Sequence, residues 1–171
     1  MKALNFLTAV LCLSATAAVA QQTPEATFYK LDFVVKEVEA GKTINTRNYS
    51  TILAASGKDR GLIRTGNRVP VTSEKTVGVA PVTQFQYLDV GINIDSGLLR
   101  ELPGDRVAVE MGVDITSNVA SETAGLPPII RQNKWQSTVV VPVRKASTIF
   151  SSDDPSSKRQ MQIELTATPL K

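Results

Sequence analysis

The sequence predicts an all-β fold, an antiparallel β-sandwich or open barrel of about seven or eight strands. Three observations predict it. Apolar residues recur at every second position in segment after segment, the period of a strand buried on one side. Turn-forming Gly, Pro, Asn and Asp separate those segments. Beyond the first twenty residues no stretch sustains the i, i+3, i+4, i+7 spacing of an amphipathic helix.

The first twenty residues stand apart. Lys2 precedes the apolar run Ala9-Val10-Leu11-Cys12-Leu13, and the segment closes on Ala18-Val19-Ala20. A short apolar run ending in an A-x-A pattern reads as a secretory signal peptide, too short for a membrane span. Residues 1–20 are therefore expected to be removed, leaving 21–171 as one β-rich domain.

Along that domain, Tyr29, Leu31, Phe33 and Val35 alternate with Lys30, Asp32 and Val34. Glu39-Ala40-Gly41-Lys42 supplies a turn, and residues 43–55 return as the second arm of a hairpin. Residues 56–61 form a polar loop. A short strand is expected over 62–64, a turn at Thr65-Gly66-Asn67, and another strand over 68–71. Pro70 has no amide hydrogen to donate, which assigns that last segment to a sheet edge. Residues 73–81 read as a connection. Alternation resumes over 84–95, with Leu88, Val90, Ile92 and Ile94 against Asp89, Gly91, Asn93 and Asp95.

Leu102-Pro103-Gly104-Asp105 is a turn, because proline presets one φ and glycine accepts a positive one. Val107, Val109, Met111, Val113 and Ile115 then make one face of the most regular strand in the chain. Residues 117–128 form a loop and 129–143 a strand carrying Trp135. Residues 151–157 form a second loop. In the last strand Met161, Ile163, Leu165 and Ala167 alternate with Gln162, Glu164 and Thr166.

Composition narrows the chemistry. The chain has no histidine, and its one cysteine, Cys12, lies in the signal segment. Ser-His-Asp and Cys-His catalysis and the common zinc and copper sites are thereby excluded. No catalytic residue, cofactor or metal is expected, and the chain reads as a non-enzyme. A cysteine-free exported chain fits the bacterial envelope, periplasmic or secreted, better than a disulfide-stapled extracellular domain. A formal net charge of +3 argues against nucleic acid as partner. No later segment is long and apolar enough for a transmembrane helix, and membrane insertion is not expected.

Asp89, Asn93 and Asp95 share a strand face, which raises calcium binding or an acid–base pair; the solvent side of a half-buried strand is the preferred reading. Lys58, Arg60, Arg64 and Arg68 concentrate positive charge. Arg60, Arg64, Arg68 and Trp135 are the candidate contacts for an anion or a partner. Charge that protects a strand edge explains the arginines equally well, and an ordinary core position suits Trp135 better than a ligand contact.

The middle of the chain carries a further pattern. Gly61-Leu62-Ile63-Arg64-Thr65-Gly66-Asn67-Arg68-Val69-Pro70 is followed by Tyr87-Leu88-Asp89-Val90-Gly91-Ile92-Asn93-Ile94. Next come Val107-Ala108-Val109-Glu110-Met111, then Pro128-Ile129-Ile130-Arg131 and a valine-rich run over 138–141. In this order, over residues 49–143, the segments resemble the core β-domain of the secretins, multimeric gates of the bacterial outer membrane. Lys145-Ala146-Ser147-Thr148 stands where that family has Gly-Gly, and no membrane-inserting lip is evident. The resemblance therefore implies a reduced secretin-like module of an envelope, secretion or pilus system that acts through a protein partner or self-association. The alternative is a periplasmic carrier holding a small apolar ligand between its sheets; the low aromatic content, 5%, counts against it.

Overall fold

A computed structural model describes residues 26–77, 80–119, 129–154 and 158–170, with side chains over 26–70, 85–118, 129–154 and 158–170. The expected signal peptide and most of the expected 117–128 loop lie outside the described residues. Within them the chain is all-β, with eight strands and no helix. These are β1 (Phe28–Glu39), β2 (Lys42–Ala54), β3 (Arg60–Val77), β4 (Ala80–Leu102), β5 (Arg106–Val119), β6 (Ile129–Pro142), β7 (Ser147–Asp153) and β8 (Arg159–Leu170). They form two antiparallel sheets, a shorter one ordered β2-β1-β8-β7 and a longer one ordered β3-β4-β5-β6.

The alternation read from the sequence becomes the core. Tyr29, Leu31, Phe33 and Val35 of β1 and Ile163, Leu165 and Ala167 of β8 turn inward from the short sheet. They meet Ile92 and Ile94 of β4 and Val107, Val109, Met111, Val113 and Ile115 of β5. Facing rows of branched side chains with period two are the ordinary solution for two stacked sheets. The β1–β2 hairpin closes through Ala40 and Gly41, with φ of 48° and 77°. Two successive positive φ values are the twist-compatible two-residue turn.

Three local expectations are corrected. Thr65-Gly66-Asn67 is not a turn; β3 runs unbroken for 18 residues and pairs with β4 along its whole length. The glycine serves close approach. Gly66 faces Gly91, and a Cβ on Gly66 would strike the Val90 carbonyl oxygen, one on Gly91 the Thr65 carbonyl oxygen. Residues 73–77 and 80–81, expected in a connection, belong to the same β3–β4 ribbon. Finally, Ser117–Val119 belong to β5 and Ser151–Asp153 to β7, not to loops, because β5 pairs on with β6 and β7 closes the short sheet against β8.

A bulge at Gly97–Arg100 sets two residues of β4 against Val109 alone. Leu98 takes a φ of 48° and faces solvent, which allows Leu99 to remain fully buried. After β6 the chain crosses to the short sheet, where Val143 bridges Ala167 and the Arg144 amide donates to the Ala167 carbonyl at 2.8 Å.

A polar contact also ties the sheets within the core region. Buried Tyr29 donates its hydroxyl to Glu101 Oε1 of β4 at 2.9 Å. Burial, reinforced by this bond to a carboxylate, pushes the phenol up to about 12. An unfolded tyrosine ionises near pH 10, so the folded state holds this proton more tightly. The resulting stability is complete below about pH 10 and is lost as pH rises toward about 12. Thermal unfolding of wild type should therefore lose more stability over that interval than Tyr29→Phe does; parallel pH profiles would contradict the contact.

Candidate functional site

The long sheet has one face against the core and one facing out. Register assigns the outward face: Arg60, Leu62, Arg64, Gly66 and Arg68 on β3, and Tyr87, Asp89, Gly91, Asn93 and Asp95 on β4. From β5 come Glu110, Gly112 and Asp114, and from β6 Gln132, Lys134, Gln136, Thr138 and Val140. Because β3 is one strand, Arg60, Arg64 and Arg68 stand in a single row, four residues or roughly 13 Å apart. This is tighter alignment than a turn at residues 65–67 would have permitted.

Two of the three arginines are already occupied. Arg64 pairs with Asp95 at 2.5 Å, and Arg68 with Asp89 at 2.9 Å. The same contacts engage the carboxylates proposed for cation or acid–base chemistry, and Asn93 sits across from Arg64 between them. Both pairs are at least half exposed, so each adds little stability; they neutralise the ribbon and hold its register. Asp114 accepts two hydrogen bonds from Gln132 Nε2, at 3.0 and 2.9 Å. Among the described residues no three acidic side chains converge as a metal site would require.

Trp135 borders the same outward depression as Arg60 and Arg64, but its ring is turned to the other face. It lies on the inward face of β6, opposite Val113, and tilts against Phe150 of β7 with ring centroids 5.5 Å apart. Its role is to close the rim of the core between the two sheets. The signal for that role was present in the sequence, where Trp135 falls in phase with Val139 and Val141.

The glycines Gly97 and Gly112 leave a shallow depression on the outward face, about 330 Å³, walled by Arg60, Leu62, Glu110 and Lys134. A second cleft opens where the sheets diverge, lined by Arg47, Arg131, Asp154 and Met161, with Arg131 tied to Asp154 at 3.1 Å. The first is also lined by Asp95 and Asp114, the second by Glu37 and Asp153.

The long sheet ends in β3 on one side and β6 on the other, and among the described residues neither has a further strand beside it. Both edges carry uncovered apolar side chains, Leu62 at 65% exposure and Val140 at 51%. An open edge with apolar side chains is a template for pairing with another strand.

No protein-family model and no curated protein sequence matches this chain. Solved structures do. The chain is similar to the type II secretin GspD of enteropathogenic Escherichia coli, with a TM-score of 0.53 and 8% identity over 86% of this chain and 70% of that one. It is also similar to ExeD of Aeromonas hydrophila, TM-score 0.48 and 12% identity, covering 85% of this chain and 46% of that one. The secretin InvG of the Salmonella SPI-1 type III injectisome aligns with a TM-score of 0.46 and 8% identity, over 85% and 64% respectively. The chain thus spans about half the length of ExeD. The resemblance read from residues 49–143 is met at the level of the fold, and that fold extends over most of the chain.

If Trp135 closes the core and the arginines form exposed pairs, truncation should separate them. Urea unfolding should show Trp135→Ala losing about 3 kcal/mol, while Arg64→Ala and Arg68→Ala each lose under about 1 kcal/mol. The reverse ranking would overturn this assignment.

Proposed function

We propose that this chain is an exported, non-enzymatic, secretin-like β-module of a bacterial envelope, acting by protein–protein contact and first of all by contact with further copies of itself. The observation that carries the reading is the open long sheet. Its four strands alternate in direction, so β3 and β6 run opposite ways. A second copy in the same orientation therefore offers β6 antiparallel to β3, and the addition repeats without inverting any copy.

The secretin fold supports this reading. So does the chemistry of the outward face, where Asp89 and Asp95 are engaged by arginine and Asp114 by glutamine. Export through the segment 1–20, with 21–171 as the working domain, completes the proposal and agrees with the absence of histidine and of any cysteine beyond Cys12. The carrier alternative draws no support from the interior, where Phe33, Leu31, Met111 and Leu165 fill the space between the sheets.

Light scattering coupled to size exclusion, on the chain from Gln21 with and without detergent, tests the reading. A discrete multimer is the expected outcome. A monomer at high concentration that is indifferent to detergent would overturn self-association.

A further inference from the structure

Three connections meet at one end of the sandwich: residues 55–59 between β2 and β3, 103–105 between β4 and β5, and 143–146 between β6 and β7. Backbone hydrogen bonds tie them into one surface. The Gly57 amide donates to the Leu99 carbonyl at 3.0 Å, and the Leu98 amide to the Asp59 carbonyl at 3.2 Å. The Val143 amide donates to the Asp105 carbonyl and the Ala55 amide to the Thr27 carbonyl, each at 2.8 Å. The end is thus held by its backbone, which leaves its charged side chains free of a structural task.

Those side chains are mostly basic. Lys58, Arg60, Arg100, Arg106, Arg144 and Lys145 lie on or beside the three connections, and all six are exposed. Among the described residues none of the six has an ion pair, whereas Arg64, Arg68 and Arg131, on the strands beyond, are each paired with an aspartate. Of the carboxylates at this end, Asp59 accepts the Ala54 amide at 3.2 Å and Glu101 accepts the Tyr29 hydroxyl. Both are turned to partners within the fold, so the cations keep a positive field around the end.

Apolar side chains stand exposed among them. Phe28 and Leu170 face each other at the margin of the short sheet, 49% and 40% exposed. Leu98, 41% exposed, is turned outward by the β4 bulge. A dissolved anion would engage the cations and leave these three in water. They belong to different sheets, stacked roughly 10 Å apart, so a broad surface reaches them together and a narrow peptide does not. Unpaired cations interspersed with apolar side chains match a surface that sets phosphate above hydrocarbon. We propose that this end docks on an anionic phospholipid surface, its cations against phosphates and Phe28, Leu98 and Leu170 at the headgroup boundary. The contact is peripheral and does not depend on the pairing of copies; a monomer carries it and a multimer repeats it.

Co-sedimentation with vesicles tests this, using the chain from Gln21, which lacks the apolar segment that would itself bind lipid. The chain should bind mixed phosphatidylglycerol–phosphatidylcholine vesicles at about 0.05 M NaCl and leave them at about 0.5 M, where charge is screened within several Å. Vesicles of phosphatidylcholine alone should not retain it. Arg144 has a φ of 61°, which glycine adopts freely, so Arg144→Gly/Lys145→Gln should keep the fold. That variant should bind roughly 30-fold more weakly, about fivefold for each cation lost. Lys42→Gln/Arg47→Gln removes the same charge from exposed positions in the other half of β2 and should bind as wild type does. Leu98→Asn, whose φ of 48° asparagine tolerates, should also bind more weakly. No binding by wild type, or an equal loss from the two double variants, would overturn the proposal. Full binding by Leu98→Asn would overturn it too, leaving a site for dissolved anions such as polyphosphate.

Discussion

Single-sided burial of the long sheet is the constraint from which the rest follows. Ile92, Ile94, Val107, Val109, Met111, Val113 and Ile115 must all face the short sheet, since each is almost wholly removed from water there. Side chains alternate with period two, so a slip of one residue in any pairing would exchange this row for Asn93, Asp95, Glu110 and Asp114. The core therefore fixes the register of β4 and β5, and through them the faces of β3 and β6. Everything proposed about the outward face and the edges inherits that register.

The two sheets differ in length, and the difference has consequences. The short sheet is built on strands of 12 and 13 residues beside a seven-residue edge strand, whereas β3 and β4 reach 18 and 23. The excess forms a two-stranded ribbon, because β5 stops pairing with β4 at Gly91. At that same rung Gly66 and Gly91 approach so closely that neither position has room for a side chain. The ribbon leaves the sheet at its narrowest point, and the Arg64–Asp95 and Arg68–Asp89 pairs on either side hold the two strands in line. Exposed ion pairs are weak as sources of stability, but alternating charge across a ribbon penalises every register that would place like charges together.

Most of this fold was legible in the sequence, for a physical reason: β1, β4, β5 and β8 each bury one face, and burial is what writes the alternation into residues such as Leu31, Ile94, Val109 and Leu165. Where burial is one-sided and incomplete, the signal fades. β3 is an edge strand containing Gly66 and Pro70, and the tripeptide Thr65-Gly66-Asn67 has the composition of a turn although its glycine serves strand-to-strand approach. β7 was missed because a bulge between Thr148 and Phe150 breaks its period and most of its residues are partly exposed. Arg60, Arg64 and Arg68 are legible as a cluster, but the carboxylate partners of Arg64 and Arg68 come from β4, about 20 to 30 residues away, and only the pairing brings them together. Pro70 marks β3 as an edge, but which strand forms the opposite edge is a property of strand order.

The central claim is that β3 and β6 are where copies meet. Hydrogen–deuterium exchange, compared between dilute and concentrated protein, reads the backbone of those edges directly, since an edge amide that gains a partner strand stops exchanging freely. The account predicts added protection at high concentration over residues 60–70 and 129–141, with β4 and β5 already protected and unchanged. Protection that appears instead on β2 and β7, the edges of the short sheet, or on no edge at all, would contradict it.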